Sequence, residues 1–158
     1  MRCTLVLAVF FAACSSTAPV AEDPDQAGIE AVVLETYNAI SGPAGTRDWD
    51  HLKDLFAPGA RLMVVRNDGA VGVMTPDEYI ARVKPYFEKN GFFEKPSSNR
   101  VEHFRDIAHV LSLYESRHAA NDAEPFARGT NSFQLVRVGG RWRVQSILWQ
   151  EAANPSRR

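Results

Sequence analysis

Apolar and polar residues follow one another along this chain with spacings that are typical first of helices and then of strands. Between residues 26 and 41, apolar side chains recur every three or four positions, which predicts an amphipathic helix. A short second helix is predicted within residues 46–56. A third helix begins at Thr75, because a capping residue, Pro76 and two acidic residues follow one another there. Pro85 is expected to kink or end this third helix.

The other apolar segments have the composition and the flanking turns of β-strands. Residues 61–65 and 70–74 enclose an Asn-Asp-Gly turn and predict a hairpin. Three long strands are then predicted, at residues 100–118, 126–138 and 141–151. Gly139 and Gly140 form the tight turn between the last two strands. This order of elements predicts an α+β domain in which three helices cover one face of a curved antiparallel sheet.

Two segments carry a resemblance to a known superfamily. They are RDWDHLKDLFAPGARL at residues 47–62 and GGRWRVQSILWQE at residues 139–151. Together with the order of elements, they resemble the nuclear transport factor 2-like (cystatin-like) domains, and among these the SnoaL-like proteins. The resemblance implies a cone of curved sheet closed by helices, and dimerisation through the sheet. The superfamily includes isomerases, cyclases, dehydratases and non-catalytic binding or assembly domains, so the fold alone does not give the activity.

The first residues have the layout of an export signal. One cation at Arg2 precedes about nine apolar residues, which are too few to span a bilayer as a helix. The sequence FAAC, which ends at Cys14, resembles a bacterial lipobox, where cleavage leaves a lipid-modified cysteine at the new N-terminus. We therefore expect a membrane-anchored lipoprotein of the bacterial cell envelope. A plain secretory signal, giving a soluble secreted or periplasmic protein, is the alternative. The expected segments are a signal peptide at 1–13, a lipidated cysteine and flexible tether at 14–25, the folded domain at 26–152 and a tail at 153–158.

Composition excludes several classes of function. With 18 basic and 19 acidic residues the net charge is −1, and no concentrated basic face is expected to attract nucleic acid. The histidines do not suggest a metal site, since His103 and His109 would lie roughly 20 Å apart along one extended strand. The chain contains neither a nucleophile-elbow motif nor a glycine-rich phosphate loop. No metal and no cofactor are therefore expected.

The segment RGTNSFQ, which begins at Arg128, is rich in polar residues. The pairing of the last two strands predicts on which face of the sheet each of them lies. If the pairing runs symmetrically through the glycine turn, Arg128 lies opposite Glu151 on the outward face of the sheet. We expect Arg128 to form ion pairs with Glu115 and Glu151 rather than to bind a substrate. The same face would carry an apolar patch, which predicts a homodimer interface. The patch consists of Leu111, Leu113, Ile147 and Trp149.

The same register directs one polar residue of this strand, Asn131, toward the helices. A buried amide has to be hydrogen-bonded, so Asn131 is either tied into the core or offered to a ligand. The sequence leaves both alternatives open. It predicts a pocket for a small apolar or aromatic ligand, because cones of this kind often leave an apolar hollow with a few polar groups. The pocket is expected to be lined by Tyr37, Trp49, Ser112, Asn131 and Ser146.

Acid–base chemistry inside the cone is the enzymatic alternative. Asp106 has the strand parity of the inward-facing residues and is the candidate base, with Tyr114 as a hydrogen-bond donor. The competing interpretation pairs Asp106 with Arg137. The favoured function is non-catalytic binding of a small ligand or a protein partner by an exported domain. The alternatives are a SnoaL-like isomerase, cyclase or hydratase, and a dimeric assembly module without a ligand pocket.

Overall fold

The computed structural model describes residues 23–152 of the chain. Three helices are present in this range, as predicted: α1 at Pro24–Ile40, α2 at Trp49–Asp54 and α3 at Pro76–Phe87. None of them combines the length and the apolar character that crossing a bilayer requires. The predictions for the signal peptide, for Cys14 and for the tail fall outside the described residues.

Local chemistry explains where the helices begin and end. The carboxylate of Asp48 accepts a hydrogen bond from the backbone nitrogen of His51 and caps α2. Thr75 and Glu78 form a reciprocal capping box at the start of α3. Pro85 lies inside α3 and does not end it, since the helix continues to Phe87.

Six strands form one curved sheet, which confirms the predicted α+β fold class. The strands are β1 at Phe56–Val65, β2 at Val71–Met74, β3 at Phe93–Phe104, β4 at Ile107–Arg117, β5 at Ala127–Val138 and β6 at Arg141–Glu151. Their order across the sheet is β2-β1-β6-β5-β4-β3. Neighbouring strands run antiparallel, except that β1 and β6 run parallel. An entirely antiparallel sheet was the expectation, and this pair corrects it.

The single strand predicted at 100–118 is wrong, because the chain reverses in the middle of it. Phe104 pairs with Ile107, and the two residues between them form a tight turn. Arg105 adopts a left-handed backbone conformation there, with φ of 52°. Arginine is rare in that conformation, and the turn therefore lacks the glycine or asparagine by which such turns are usually identified.

A β-bulge in β6 shifts the register that the sequence predicted between β5 and β6. Near the glycine turn the prediction is right, with Arg137 opposite Trp142. Beyond it, Leu135 pairs with Val144 while Gln134 pairs with Ser146, so Gln145 is an extra residue. Because strand side chains alternate between faces, one extra residue exchanges the two faces for everything that follows.

The core lies between the helices and the concave face of the sheet. Ile29 and Val33 of α1 are fully buried, and they belong to one cluster with Phe133, Leu135 and Val144 of the sheet. Complete burial of each such side chain stabilises the fold by about 1.5–3 kcal/mol. The bent sheet and the three helices do not fill the space between them, and a cavity remains next to this cluster.

Candidate functional site

A cavity of about 270 Å³ lies between the concave face of the sheet and helices α1, α2 and α3. All three helices and five of the six strands contribute to its wall, which is mainly apolar. The lining residues are Thr36, Tyr37, Ile40, Leu52, Phe56, Leu62, Tyr79, Val83, Phe87, Phe92, Glu94, Tyr114, Ser116, Phe126, Ala127, Asn131, Phe133, Ile147, Trp149 and Glu151. An apolar cavity of about 150 Å³ is large enough for benzene, so this one has room for a molecule of one or two rings.

Two carboxyl groups belong to the wall of this mainly apolar cavity, those of Glu94 and Glu151, and Glu94 is the less exposed of the two. Its position on β3 is fixed from both sides, since the Ser41 hydroxyl at the end of α1 bonds to both the backbone nitrogen and the backbone oxygen of Glu94. The Ser116 hydroxyl donates a hydrogen bond of 2.7 Å to the Oε2 atom of Glu94. Burial raises the pKa of Glu94 to about 7, although hydrogen bonds from Ser116 and Asn131 favour the charged form. Glu94 can therefore gain or lose a proton near neutral pH.

A buried hydrogen-bond chain leads from Asn131 into the core. The Asn131 amide donates to the Tyr37 hydroxyl at 2.9 Å, and that hydroxyl lies 2.7 Å from the Ser112 hydroxyl. Burial raises the pKa of Tyr37 to about 12, so its hydroxyl stays protonated under ordinary conditions. Since the Tyr37 oxygen accepts from Asn131, its proton is free to bond to Ser112. Both alternatives predicted for Asn131 therefore apply. Its side-chain amide is hydrogen-bonded within the core, and the residue also lines the cavity.

Two further tyrosines, Tyr79 of α3 and Tyr114 of β4, line the cavity near Glu94. Burial raises the pKa of both, and the negative charge of Glu94 adds to this effect. In contrast to Tyr37, neither has a side-chain hydrogen bond among the causes that perturb its pKa within the described residues. Since both residues line the cavity, their hydroxyls are candidates to hydrogen-bond a molecule inside it.

The space for the Tyr114 ring comes from Gly129 on the adjacent strand. The two residues are directly paired, as the sequence predicted. A β-carbon at position 129 would lie 2.5 Å from the Tyr114 hydroxyl and 2.5 Å from the backbone oxygen of Gln150. Glycine is required here because a second backbone and an aromatic ring approach it closely.

Sequence-predicted pocket residues fall into two groups. Tyr37, Asn131 and the candidate donor Tyr114 line the cavity, and Ser112 lies behind Tyr37 as its hydrogen-bond partner. Trp49 does not line the cavity, because its ring stacks on Phe87 at a centroid distance of 6.2 Å.

Asp106 is not a base inside the cone, and that part of the sequence prediction is wrong. It lies in the β3–β4 turn, where 71% of its side chain is exposed. Its Oδ1 atom is 3.3 Å from the Nε atom of Arg137, which also forms an ion pair with Asp25. The inward parity was counted along one continuous strand, and the turn at Arg105 invalidates that count.

The bulge at Gln145 overturns three further placements on β6. Ser146 pairs with the exposed Gln134 and belongs to the outward face, so it does not line the cavity. Ile147 was expected on the outward face but is only 7% exposed and lines the cavity. Trp149 also faces inward, and its ring meets Tyr79 edge-on at 6.3 Å.

The outward face keeps part of the predicted apolar patch. Leu113 is exposed, Leu111 is partly buried, and Leu148 takes the outward position that the bulge removes from its neighbours. Their role in a homodimer stays a prediction.

Arg128 pairs with Glu115 at 3.2 Å, as expected, but its second partner is Glu124 at 3.3 Å instead of Glu151.

Each histidine has a different partner in the described part of the chain, although the β3–β4 turn brings His103 and His109 onto neighbouring strands instead of roughly 20 Å apart along one strand. His51 contacts Glu35, His103 contacts Asp23, His109 contacts Ser132, and His118 stacks on Phe126. Within residues 23–152, no three His, Cys, Asp or Glu side chains are grouped so that they could hold a metal ion.

Glu94 is the central polar residue of the cavity, and the sequence reasoning missed it. It lies on β3, whose first half contains Pro96 and was not identified as a strand. The hairpin register places Glu94 opposite Ser116, on the same face as Ser112 and Tyr114. Identification of the turn at residues 105–106 would have extended β3 to Glu94, but regular pairing from that turn puts Glu94 opposite Arg117 on the outward face. A bulge at Ser97 shifts the register by one residue and directs the carboxylate into the cone.

No protein-family model matches the chain, and no curated protein sequence matches it either. Solved structures do resemble it. A protein of unknown function with a cystatin-like fold from Nostoc punctiforme has a TM-score of 0.65 at 13% identity, covering 84% of this chain and 92% of that one. An NTF2-like protein of unknown function from Pseudomonas putida has a TM-score of 0.64 at 14% identity, covering 83% and 89%. LinA has a TM-score of 0.65 at 10% identity, covering 82% and 86%. At these identities the likeness establishes a shared fold and leaves the activity open.

Proposed function

Since this chain has the nuclear transport factor 2-like fold that its sequence predicted, we propose that its cavity binds a small molecule with an apolar ring system and one polar end. The observation that carries this proposal is the apolar cavity of about 270 Å³ with Glu94 at one side of its wall. Apolar walls with a few converging polar groups are the usual composition of small-molecule sites. The protein would do this as an exported domain, which the lipobox-like sequence at Cys14 supports.

Different parts of such a ligand would meet different parts of the wall. The ring system would lie against Phe133, Ile147 and Trp149, which the sheet directs inward. The polar end would meet Glu94 and the hydroxyls of Tyr79 and Tyr114. A half-buried carboxyl and two hydroxyls can bond to an alcohol, a carbonyl or an amine, because they include both donors and acceptors.

Titration calorimetry with 2-naphthalenemethanol, a two-ring alcohol, tests this proposal. Val83→Phe places a ring in the cavity and should weaken binding by at least about tenfold, since the probe and the new side chain compete for the same space. Val73→Phe makes the same change on the exposed side of β2, where Val73 is 59% exposed, and should leave binding unchanged. Equal effects of the two variants would overturn the proposal, and so would failure of the wild type to bind any two-ring probe of this size, whatever its polar group.

Acid–base catalysis is the second candidate, and the raised pKa of Glu94 favours it. A carboxylate with a pKa of about 7 can take a carbon-bound proton next to a ligand carbonyl at neutral pH. Tyr79 or Tyr114 would donate a hydrogen bond to the carbonyl oxygen as negative charge develops there. In deuterated water, the protein should then speed the exchange of the α-protons of 1-tetralone, followed by NMR, and Glu94→Gln should remove this effect. An exchange rate equal to that of buffer alone would exclude proton transfer on such a ketone.

A further inference from the structure

The charged side chains that line the cavity all have the same sign. They are Glu94 and Glu151, and no lysine, arginine or histidine is among the described residues of the wall. The cations nearby along the strands are engaged on the outward side, where Arg117 and Arg128 both pair with Glu115. Burial and two neutral hydrogen-bond donors are the causes that act on the pKa of Glu94, and no cation is among them. The cavity therefore offers negative charge that the protein itself does not neutralise.

The rest of the wall is rich in aromatic rings. Nine of its twenty residues are aromatic, among them Tyr79, Tyr114 and Trp149. Aromatic faces carry partial negative charge and attract cations, most strongly where water is excluded. Carboxylates and ring faces together form an environment that favours a positive charge and disfavours a negative one.

We propose that the ligand of this cavity carries a protonated amine, which pairs with Glu94 while its ring system packs against the aromatic wall. This inference rests on the proposed function, because it specifies the polar end of the ligand. It also excludes carboxylate ligands, since two carboxylates in a poorly solvated cavity repel each other strongly.

The pairing depends on pH through Glu94, and the groups facing that residue determine the direction. Tyr37 of α1, Tyr79 of α3 and Tyr114 of β4 remain neutral below pH 10, because burial raises the pKa of each. Glu151 of β6 is the other carboxyl of the wall, and it is exposed to solvent. With a pKa of about 7, Glu94 is mostly protonated at pH 6 and mostly ionised at pH 8. An alkylamine stays protonated throughout that range.

Three probes of nearly equal shape separate the contribution of charge from that of ring burial. They are 2-naphthylmethylamine, 2-naphthalenemethanol and 2-naphthoic acid, each titrated into the purified protein by calorimetry at pH 6 and pH 8. At pH 8 the amine should bind most tightly and the acid most weakly. The affinity for the amine should rise about tenfold from pH 6 to pH 8, in proportion to the ionised fraction of Glu94, while that for the alcohol should stay nearly constant.

Glu94→Gln keeps the size and polarity of the side chain but removes its charge. The variant should lose the preference for amine over alcohol by tenfold or more, and should lose the pH dependence. Glu102→Gln is the matched control, because Glu102 lies on the same strand and its side chain is 63% exposed. An amine that binds no better than the alcohol at pH 8, or a preference that persists in Glu94→Gln, overturns the amine inference while ring binding stands. If none of the three probes binds, the proposed function fails as well.

Discussion

The protonation of Glu94 leads to a quantitative prediction about stability. The pKa of this carboxyl is about 7 in the folded protein and close to 4.5 once the chain unfolds and the group meets water. Below pH 4.5 the group is protonated in both states and does not affect stability. As the pH rises toward 7, the unfolded chain loses this proton first, so the folded state becomes progressively less stable. Above pH 7 the destabilisation is complete.

Its size follows from the difference between the two pKa values. A difference of one pH unit corresponds to about 1.4 kcal/mol, and the separation here is about 2.5 pH units, which gives about 3 kcal/mol in full. Between pH 5 and pH 8 the change amounts to about 2–3 kcal/mol, because part of the destabilisation is already present at pH 5. Glu94→Gln cannot ionise, so its free energy of unfolding should rise by that amount relative to the wild type over this interval.

Urea unfolding of both proteins at pH 5 and pH 8 measures this change. The quantity to compare is the free energy of unfolding of Glu94→Gln minus that of the wild type, at pH 8 and at pH 5. Other titrating groups contribute equally to both proteins and cancel. Glu102→Gln on the same strand should show no such change, since its side chain is largely exposed. If the difference between the wild type and Glu94→Gln stays constant within about 0.5 kcal/mol, the carboxyl is not destabilised by burial, and the reasoning about the cavity's charge is wrong.

Three further predictions concern packing, export and assembly. Gly129→Ala should destabilise the protein by about 2 kcal/mol in urea unfolding, because its β-carbon would clash with the Tyr114 hydroxyl and the Gln150 backbone oxygen, and an unchanged midpoint would contradict this geometry. Labelled palmitate should enter the wild type but not Cys14→Ser when the protein is expressed in bacteria, and equal labelling would refute the lipid anchor. Leu113→Glu should convert a dimer into monomers in sedimentation, since it puts a charge on the exposed apolar face of β4, whereas an unchanged mass would exclude this face as the interface.

Much of the fold was predictable because local patterns determine it. Helix α3 begins at the predicted Thr75, since a capping box, a proline and acidic residues act within one turn. The register between β4 and β5 was also predicted, with Glu115 opposite Arg128 and Tyr114 opposite Gly129. In the first pair the two residues carry opposite charges. In the second pair the Tyr114 ring occupies the space left by the missing side chain of Gly129.

The site was less predictable, because it depends on three places where the backbone departs from regular strand geometry: the turn at Arg105 and the bulges at Ser97 and Gln145. The turn at Arg105 contains neither glycine nor asparagine, and its strained conformation, which costs of order 1 kcal/mol, is imposed by the strand pairing on either side. Without that turn Asp106 counts as inward, and β3 appears to begin too late to include Glu94. The favoured candidate base was therefore wrong, and the carboxyl that does line the cavity was overlooked.

The bulge at Gln145 also shapes the cavity, because it determines which residues of β6 face inward. Without the extra residue, Ile147 and Trp149 would lie on the outward face, and two large apolar side chains would be missing from the wall of the cavity. Leu148 and Ser146 would then point inward in their place, giving a smaller and more polar wall. The bulge also lets the Trp149 ring meet the Tyr79 ring of helix α3 edge-on. A single inserted residue therefore adds Trp149 to the eight other aromatic residues of the wall. This aromatic wall, together with the charge of Glu94, is the basis for expecting a cationic ligand.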